Sequence, residues 1–320
     1  MAQTIVTLAD LQKSAHTYER QLLQMPVIAA EDTLKHMTPM PGVFGRHTLT
    51  EISGSFELGP YKRDRWADGA VTLTPRTLET YLGNNALNFD PNELYGTIFG
   101  ERVFKGEALK STQIAQDILS YMAAQLGRSL NMAIWSAKRD DAGDTTATLF
   151  NGFDTITEEE VTAGNLAAAH GNYMELTEAI TEQNAVDIFQ SIYEGASDEL
   201  QGIPVNIYCT KDQYRKYLKA YKAETGAIIY NDKYEQTTLE GSDGLATFVP
   251  LVSKKGSSYI HIAPQRNLVF GYGNGLPNEG VTVEKYKPWE FTLEAALVFG
   301  VQFASVSKEV LMVAKTAATA

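Results

Sequence analysis

The sequence predicts an α+β fold in which one long helix covers one long strand, and three observations predict it. The first is the stretch STQIAQDILSYMAAQLGRSLNMAIWSAKR, Ser111 to Arg139, where Ile114, Ile118, Met122, Leu126, Leu130, Ala133, Ile134 and Ala137 recur every three or four residues. The second is FTLEAALVFGVQFAS near the C-terminus. Its alternate positions are Phe291, Leu293, Ala295, Leu297, Phe299, Val301 and Phe303, a strand of roughly 45 Å at about 3.3 Å per residue. The third is the section 178–275 between them, which reads as helix, strand, helix and then several strands, enough for a sheet of its own.

The helix over 111–139 contains no proline and a single glycine, Gly127. Ser111 or Thr112 caps its start, Lys138 and Arg139 suit the negative end of the macrodipole, and Asp140, Asp141 and Gly143 stop it. At 1.5 Å per residue it spans roughly 42 Å. The C-terminal strand has similar length and an apolar face that needs a cover, and the simplest cover is this helix. The two then make one domain from distant parts of the chain. VTVEKYKPWE before the strand and KEVLMVAK after it are candidate antiparallel partners.

Taken in order, residues 1–46 form an arm. Leu8, Leu11, Ala15, Tyr18, Leu22 and Leu23 share a helical face, and Pro26, Pro39 and Pro41 follow with Met37, Met40, Val43 and Phe44 between them. So little apolar surface makes no core, and the arm is expected to lie across another part of the structure. Residues 47–82 hold two strand-like runs, HTLTEISGSFELG and AVTLTPRTLETYL, around a charged tip from Tyr61 to Gly69. A two-stranded ribbon is marginal alone, so it must rest on another subunit or fold back on its own domain. Pro75 favours an edge position for the returning strand. Residues 83–110 read as turn-rich. After the long helix, TTATLFNGFDTITEEEVTAG reads as a short strand, a turn at Asn151-Gly152 and an acidic loop.

In the section 178–275, Thr181 caps a helix with Ala185, Ile188, Phe189, Ile192 and Tyr193 on one face. VNIYCT after Pro204 is a short buried strand, and Lys211 to Glu224 a second helix, followed by Ile228-Ile229-Tyr230. ATFVPLV, SYIHIA and NLVFGYG are three further strands. Lys211, Arg215, Lys219 and Lys222 fall on neighbouring turns, a basic stripe that is a solvated face or meets an acidic neighbour or nucleic acid.

The formal net charge of −12 argues against a protein whose task is to wrap nucleic acid through phosphate contacts. One cysteine, Cys209, excludes an internal disulfide and a multi-cysteine zinc site. The N-terminus lacks the succession of a signal peptide, and the apolar run at Ala295–Phe299 is far below a membrane span. No converging catalytic set emerges. There is no GxSxG elbow and no GxxxxGK[ST] loop. Gly271, Gly273 and Gly275 lack the helix a dinucleotide loop needs. The histidines at 16, 36, 47, 170 and 261 are scattered. His261 is expected as a sheet residue, Cys209 as core, and Glu158-Glu159-Glu160 as a solvated loop. Trp66 beside Arg63 and Arg65 has the composition of an interface anchor.

The order of these elements, with the run LFNGFDTI at 149–156 after the long helix, resembles the major capsid proteins of tailed bacteriophages, the Hong Kong 97-type fold. The resemblance covers nearly the whole chain and rests on architecture more than on any motif. It implies an N-terminal arm at 1–46, an extended loop (E-loop) at 47–82, and a peripheral domain at 83–177 with its spine helix at 111–139. It further implies an axial domain at 178–275, with the returning peripheral strands at 276–320. It implies a structural role without enzymatic activity and with no cofactor. Copies would assemble as hexamers and pentamers into an icosahedral head around double-stranded DNA, in the virion after assembly in the host cytoplasm. The E-loop tip, Lys62, Arg63, Asp64, Arg65 and Trp66, would contact an adjacent subunit. Partners would be further copies, a portal, a scaffolding protein separate from this chain, as Met1 favours, and decoration proteins. Alternatives are an encapsulin-like compartment shell, a phage tail protein, or, in a different class, an α/β enzyme with its site in 181–275.

Overall fold

The computed structural model describes residues 30–54, 60–61, 63, 71–89, 111–225, 237–273, 280–287 and 290–317. Two sheets organise them. The six-stranded sheet has the order β1 (Thr38–Pro41), β8 (Leu268–Tyr272), β10 (Glu290–Phe303), β3 (Val71–Phe89) and β2 (Gly45–Gly54), with β9 (Gly280–Lys287) also on β10. Strands β9 and β8 lie end to end along one edge of β10, at 290–296 and 299–303, while β3 runs along the other edge from Phe291↔Phe89 to Phe299↔Tyr81. The second, five-stranded sheet has the order β4 (Tyr173–Glu175), β11 (Met312–Lys315), β7 (Tyr259–Ala263), β5 (Val205–Thr210) and β6 (Ala246–Leu251).

The long helix, α2 (Ser111–Ser136), covers β10 through its last turns. Leu130, Ala133, Ile134, Trp135 and Ala137 share one core with Leu297, Phe299, Val301 and Phe303. A third component of that core is α3 (Phe153–Thr162): the Phe153 ring lies 5.2 Å from Trp135 and 4.8 Å from Phe303. The second core lies on the other side of the five-stranded sheet, under α4 (Ala185–Glu194) and α6 (Lys211–Thr225). Successive strand residues point to opposite faces. Tyr208 accordingly joins the first core and Ile207 and Cys209 the second, so β5 and β7 are buried on both sides, with Asn206 and His261 the polar interruptions in their apolar runs.

The helix ends three residues earlier than its sequence pattern suggests. Ala137 N–H still bonds to Ala133, but Lys138 N–H turns to the Ala147 carbonyl, and Gly152 N–H bonds back to Ala137 at 2.8 Å. A Cβ on Gly152 would sit 2.4 Å from the Trp135 carbonyl oxygen, so only glycine lets the chain pass there. Asn151 Oδ1 accepts from Arg139 N–H at 2.8 Å and Phe150 is buried. The short FNG run is thus the clasp that fastens the helix end to α3.

Several sequence expectations are corrected. The acidic loop is the helix α3, opened by the extended Gly152, and the expected strand before it is a 3-10 turn at Thr146–Thr148. Residues 83–89, read as turns, continue strand β3, because β10 offers them a full ladder. The helix expected after Thr181 stops at Glu194, and a short α5 (Asp198–Gln201) follows, capped by Ser197. KEVLMVAK does not pair with the long strand; β11 pairs with β4 and β7. Accordingly β8, inside 178–275, belongs to the six-stranded sheet, and β11, inside 276–320, to the five-stranded one. The end of the arm is integral: α1 (Glu31–Leu34) leads into β1, which adds in parallel to β8. Gln265 Nε2 donates to the Lys35 and Met37 carbonyls, and Tyr208 OH donates to the His36 carbonyl. Ile228, Ile229 and Tyr230 lie outside the described residues. No helix among the described residues is long and apolar enough to cross a membrane.

Candidate assembly surface

The ribbon predicted at 47–82 is present as the antiparallel ladder of β2 and β3, in register from Gly45↔Thr80 to Gly54↔Val71. Along its outer part side chains of both parities are exposed, Leu73 at 59% with Thr74 and Pro75 beside it and Thr50 across from Pro75. An interior sheet would bury one of the two faces. Around Leu73 this ribbon is unburied on both, although nearer the root Leu78 and Thr80 are buried, and its strand residues are of the type that sheets bury.

Its root is held firmly. Arg76 donates from Nη2 to Glu160 Oε1 at 2.6 Å, from Nη2 to Gln302 Oε1 at 3.3 Å, and from Nε to the Phe303 carbonyl at 3.1 Å. Gln302 Nε2 returns a bond to the Thr77 carbonyl at 3.0 Å, and Asn165 Nδ2 takes the other oxygen of Glu160 at 2.6 Å. The Arg76 and Glu160 side chains are only 10% and 16% exposed. On β10, a Cβ on Gly300 would lie 2.1 Å from the Glu79 carbonyl oxygen of β3. Glycine therefore sets how closely ribbon and body approach.

Of the expected tip residues Lys62, Arg63, Asp64, Arg65 and Trp66, Arg63 alone lies among the described residues, in a turn and exposed. Lys62, Asp64, Arg65 and Trp66 lie outside them. The residues that anchor the ribbon were missed by sequence reasoning. Arg76 and Gln302 occupy polar positions of alternating strands, and Glu160 was read as one of three solvated carboxylates. Glu158 and Glu159 are indeed exposed, but the helix turns Glu160 inward.

The closest approach to a chemical constellation is a buried cluster between α2, α3 and β7. Lys254 Nζ lies 3.0 Å from Asp154 Oδ1, 3.0 Å from Ser257 Oγ and 3.0 Å from His261 Nδ1, and 3.9 Å from the centre of the Trp135 ring. Its three protons are thereby matched to three acceptors. Thr157 Oγ1 donates to the Phe153 carbonyl at 2.7 Å and so receives the Nε2 proton of His261 at 2.9 Å, which fixes the imidazole as the neutral Nε2–H tautomer. Burial, and then the Lys254 charge, hold the His261 pKa well below its ordinary value. Burial lowers that of Lys254 while Asp154 opposes it. Burial pushes the Cys209 thiol up to about 12. Lys254 and His261 are essentially without accessible surface, and each polar atom is consumed by its neighbours. The arrangement can brace two cores; it offers no open position to a substrate. Among the described residues no three His, Cys, Asp or Glu side chains are placed to hold a metal ion.

Solved structures share this arrangement of elements. The capsid of a native GTA particle matches at a TM-score of 0.61 and 12% identity, covering 90% of this chain and 91% of that one. The fold is that of a phage capsid protein. A structure from Mycobacterium phage Adephagia matches at 0.54 and 11%, covering 90% and 91%. The satellite phage P4 procapsid matches at 0.52 and 11%, covering 92% and 90%. No protein-family model and no curated protein matches the sequence.

Proposed function

We propose that this chain is a major capsid protein of a tailed phage, a structural and non-catalytic shell tile. Copies assemble as hexamers and pentamers into an icosahedral head that encloses double-stranded DNA without sequence-specific binding. The observation that carries the reading is the β2–β3 ribbon, which exposes both faces around Leu73 yet is fastened at its root by a largely hidden ion pair. A ribbon so anchored and so uncovered is built to lie on something, and in a repeating shell that something is the next copy, which its tip residues 62–66 would grip. The fold shared with capsid structures over nine-tenths of both chains supports the same reading. The net charge of −12 suits a container that must not hold densely packed DNA tightly. A portal, a scaffolding protein and decoration proteins are the further partners proposed, with assembly in the host cytoplasm and residence in the virion.

The test is electron microscopy and light scattering of the expressed protein. Closed shells or free hexamers are expected, and a monomer that persists at high concentration would sink the proposal. Leu73→Asp and Trp66→Ala should each impair assembly while leaving the circular dichroism of the subunit unchanged. Normal particles from both would remove the ribbon from the argument.

A further inference from the structure

The parallel strands β5 and β6 give the five-stranded sheet two chemically different ends. Beyond their C-terminal ends, α6 begins at Lys211 and the β6–β7 loop carries Lys255, and between the two opens a groove of about 500 Å³. Lys211, Arg215 and Lys255 line it, are exposed, and have no carboxylate partner among the described residues. The neighbouring charges are already matched, Lys216 with Asp212 at 3.0 Å and Lys219 with Glu182 at 2.6 Å. Of the basic stripe in the sequence, then, two cations face this groove and one is paired.

The N-terminal ends of the same strands are acidic. Glu194 closes α4, Asp198 and Glu199 open α5 just before β5, and Glu240 and Asp243 lie in the turn before β6. All five are exposed and none pairs with a cation among the described residues. They belong to one patch. Tyr193 donates to the Gln201 carbonyl and feels the charge of Asp243, Gln201 Nε2 donates to the Glu194 carbonyl, and Gln190 reaches the Glu240 carbonyl. Lys308, whose carbonyl accepts from Ser197, borders the patch but is followed by Glu309. Six strand residues at about 3.3 Å each separate the two ends by roughly 20 Å.

The geometry points to a head-to-tail contact between copies, in which the basic groove of one subunit takes the acidic end, 194–199 and 240–243, of the next. The inference rests on the proposed self-assembly and names the surface that drives it. A molecule carrying a cationic groove at one end of a sheet and an anionic ridge at the other is complementary to itself end to end, by translation and rotation. Heterologous contacts of that kind close into rings when the rotation from one copy to the next divides a full turn, and run on as filaments when it does not. A chain of net charge −12 otherwise repels its copies, so a concentrated basic patch is where attraction can be placed.

The test uses three full-length variants. One reverses the groove (Lys211→Glu, Arg215→Glu, Lys255→Glu), one reverses the ridge (Asp198→Lys, Glu199→Lys, Asp243→Lys), and the third carries all six changes. Sedimentation velocity reads the concentration at which each associates. Each single-end variant should need about tenfold more protein than the parent chain. The six-fold variant should recover, because its ends are again complementary. A one-to-one mixture of the two single-end variants should recover as well, but only into rings of even number, since alternation cannot close an odd ring. Association of the single-end variants at the parent's concentration would overturn the inference while leaving the capsid reading intact. So would a six-fold variant no better than either. A groove variant that assembles normally but loses retention on a DNA column would assign the groove to nucleic acid instead. A parent chain that never associates would remove both readings.

Discussion

The guanidinium of Arg76 meets the carboxylate of Glu160 at 2.6 Å across 84 residues of chain, and it does so with both side chains largely withdrawn from water. The pair ties the returning ribbon strand to α3, and through Gln302 and Phe303 to the end of β10. Arg76→Ala strands the Glu160 charge and should cost about 3 kcal/mol in urea unfolding of unassembled subunits. Glu160→Gln keeps an acceptor for Arg76 and should cost less. Limited proteolysis should also cut the ribbon faster in Arg76→Ala. An Arg76→Ala subunit as stable and as protease-resistant as the parent would contradict this.

Two glycines should behave differently. A Cβ at Gly300 meets backbone, the Glu79 carbonyl oxygen at 2.1 Å, whereas one at Gly83 meets only the end of the Leu149 side chain at 2.8 Å. Backbone at the crossing of ribbon and body cannot step aside, but a leucine can change rotamer. Gly300→Ala should therefore lose about 3 kcal/mol or fail to fold, and Gly83→Ala about 1 kcal/mol. Thermal unfolding midpoints measure the order, and a reversed order would refute the argument.

Lys254 and Asp154 are unequal partners. The lysine side chain is fully hidden, while the aspartate retains 13% exposure and a route to water. Asp154→Ala leaves a buried ammonium without its counter-charge and should cost about 3–5 kcal/mol, whereas Lys254→Met fills the same space with an apolar chain and should cost about 1–2 kcal/mol. Equal losses by urea unfolding would show that the pair is not buried as unequally as described.

His261 makes the subunit sensitive to acid. Its folded pKa is depressed, so below the unfolded value of about 6.5 the unfolded chain binds a proton that the folded one refuses. Stability then falls with pH, by up to about 1.4 kcal/mol per unit, from near pH 6.5 down to the folded pKa. Partial burial and Lys35 act on His36 in the same direction, so the contribution of His261 is the difference between the parent and His261→Gln. Unfolding free energies between pH 6.5 and 5.5 should slope less steeply in the variant; equal slopes would dismiss the effect.

What the sequence made legible was whatever repeats. The helix ending at Ser136, the alternation of β10 and the strands β5 to β8 each declare themselves through periodic apolar positions. The uncovered ribbon was legible for a related reason: two strand-like runs around a charged tip had no third run beside them. The fasteners were not. Arg76, Glu160 and Lys254 are single polar residues whose partners lie 84 and 100 positions away, and nothing in local spacing marks which of several carboxylates turns inward. The assignment of strands to sheets failed at β8 and β11 for the same reason, since pairing depends on where the chain returns and not on how a strand reads.

Strand β3 has nineteen residues and changes partner once, at its middle: its first half pairs with β2 in the ribbon and its second with β10 in the body. There is no joint between the two. A pull on the ribbon is consequently delivered lengthwise into the β3–β10 ladder, whose bonds lie across the direction of the pull. Force applied so must strain many of them together, where a peeling force would break them one at a time. In the proposed shell, a copy joined to its neighbour through this ribbon would transmit pressure as tension along a single strand, without a hinge at which the shell could yield.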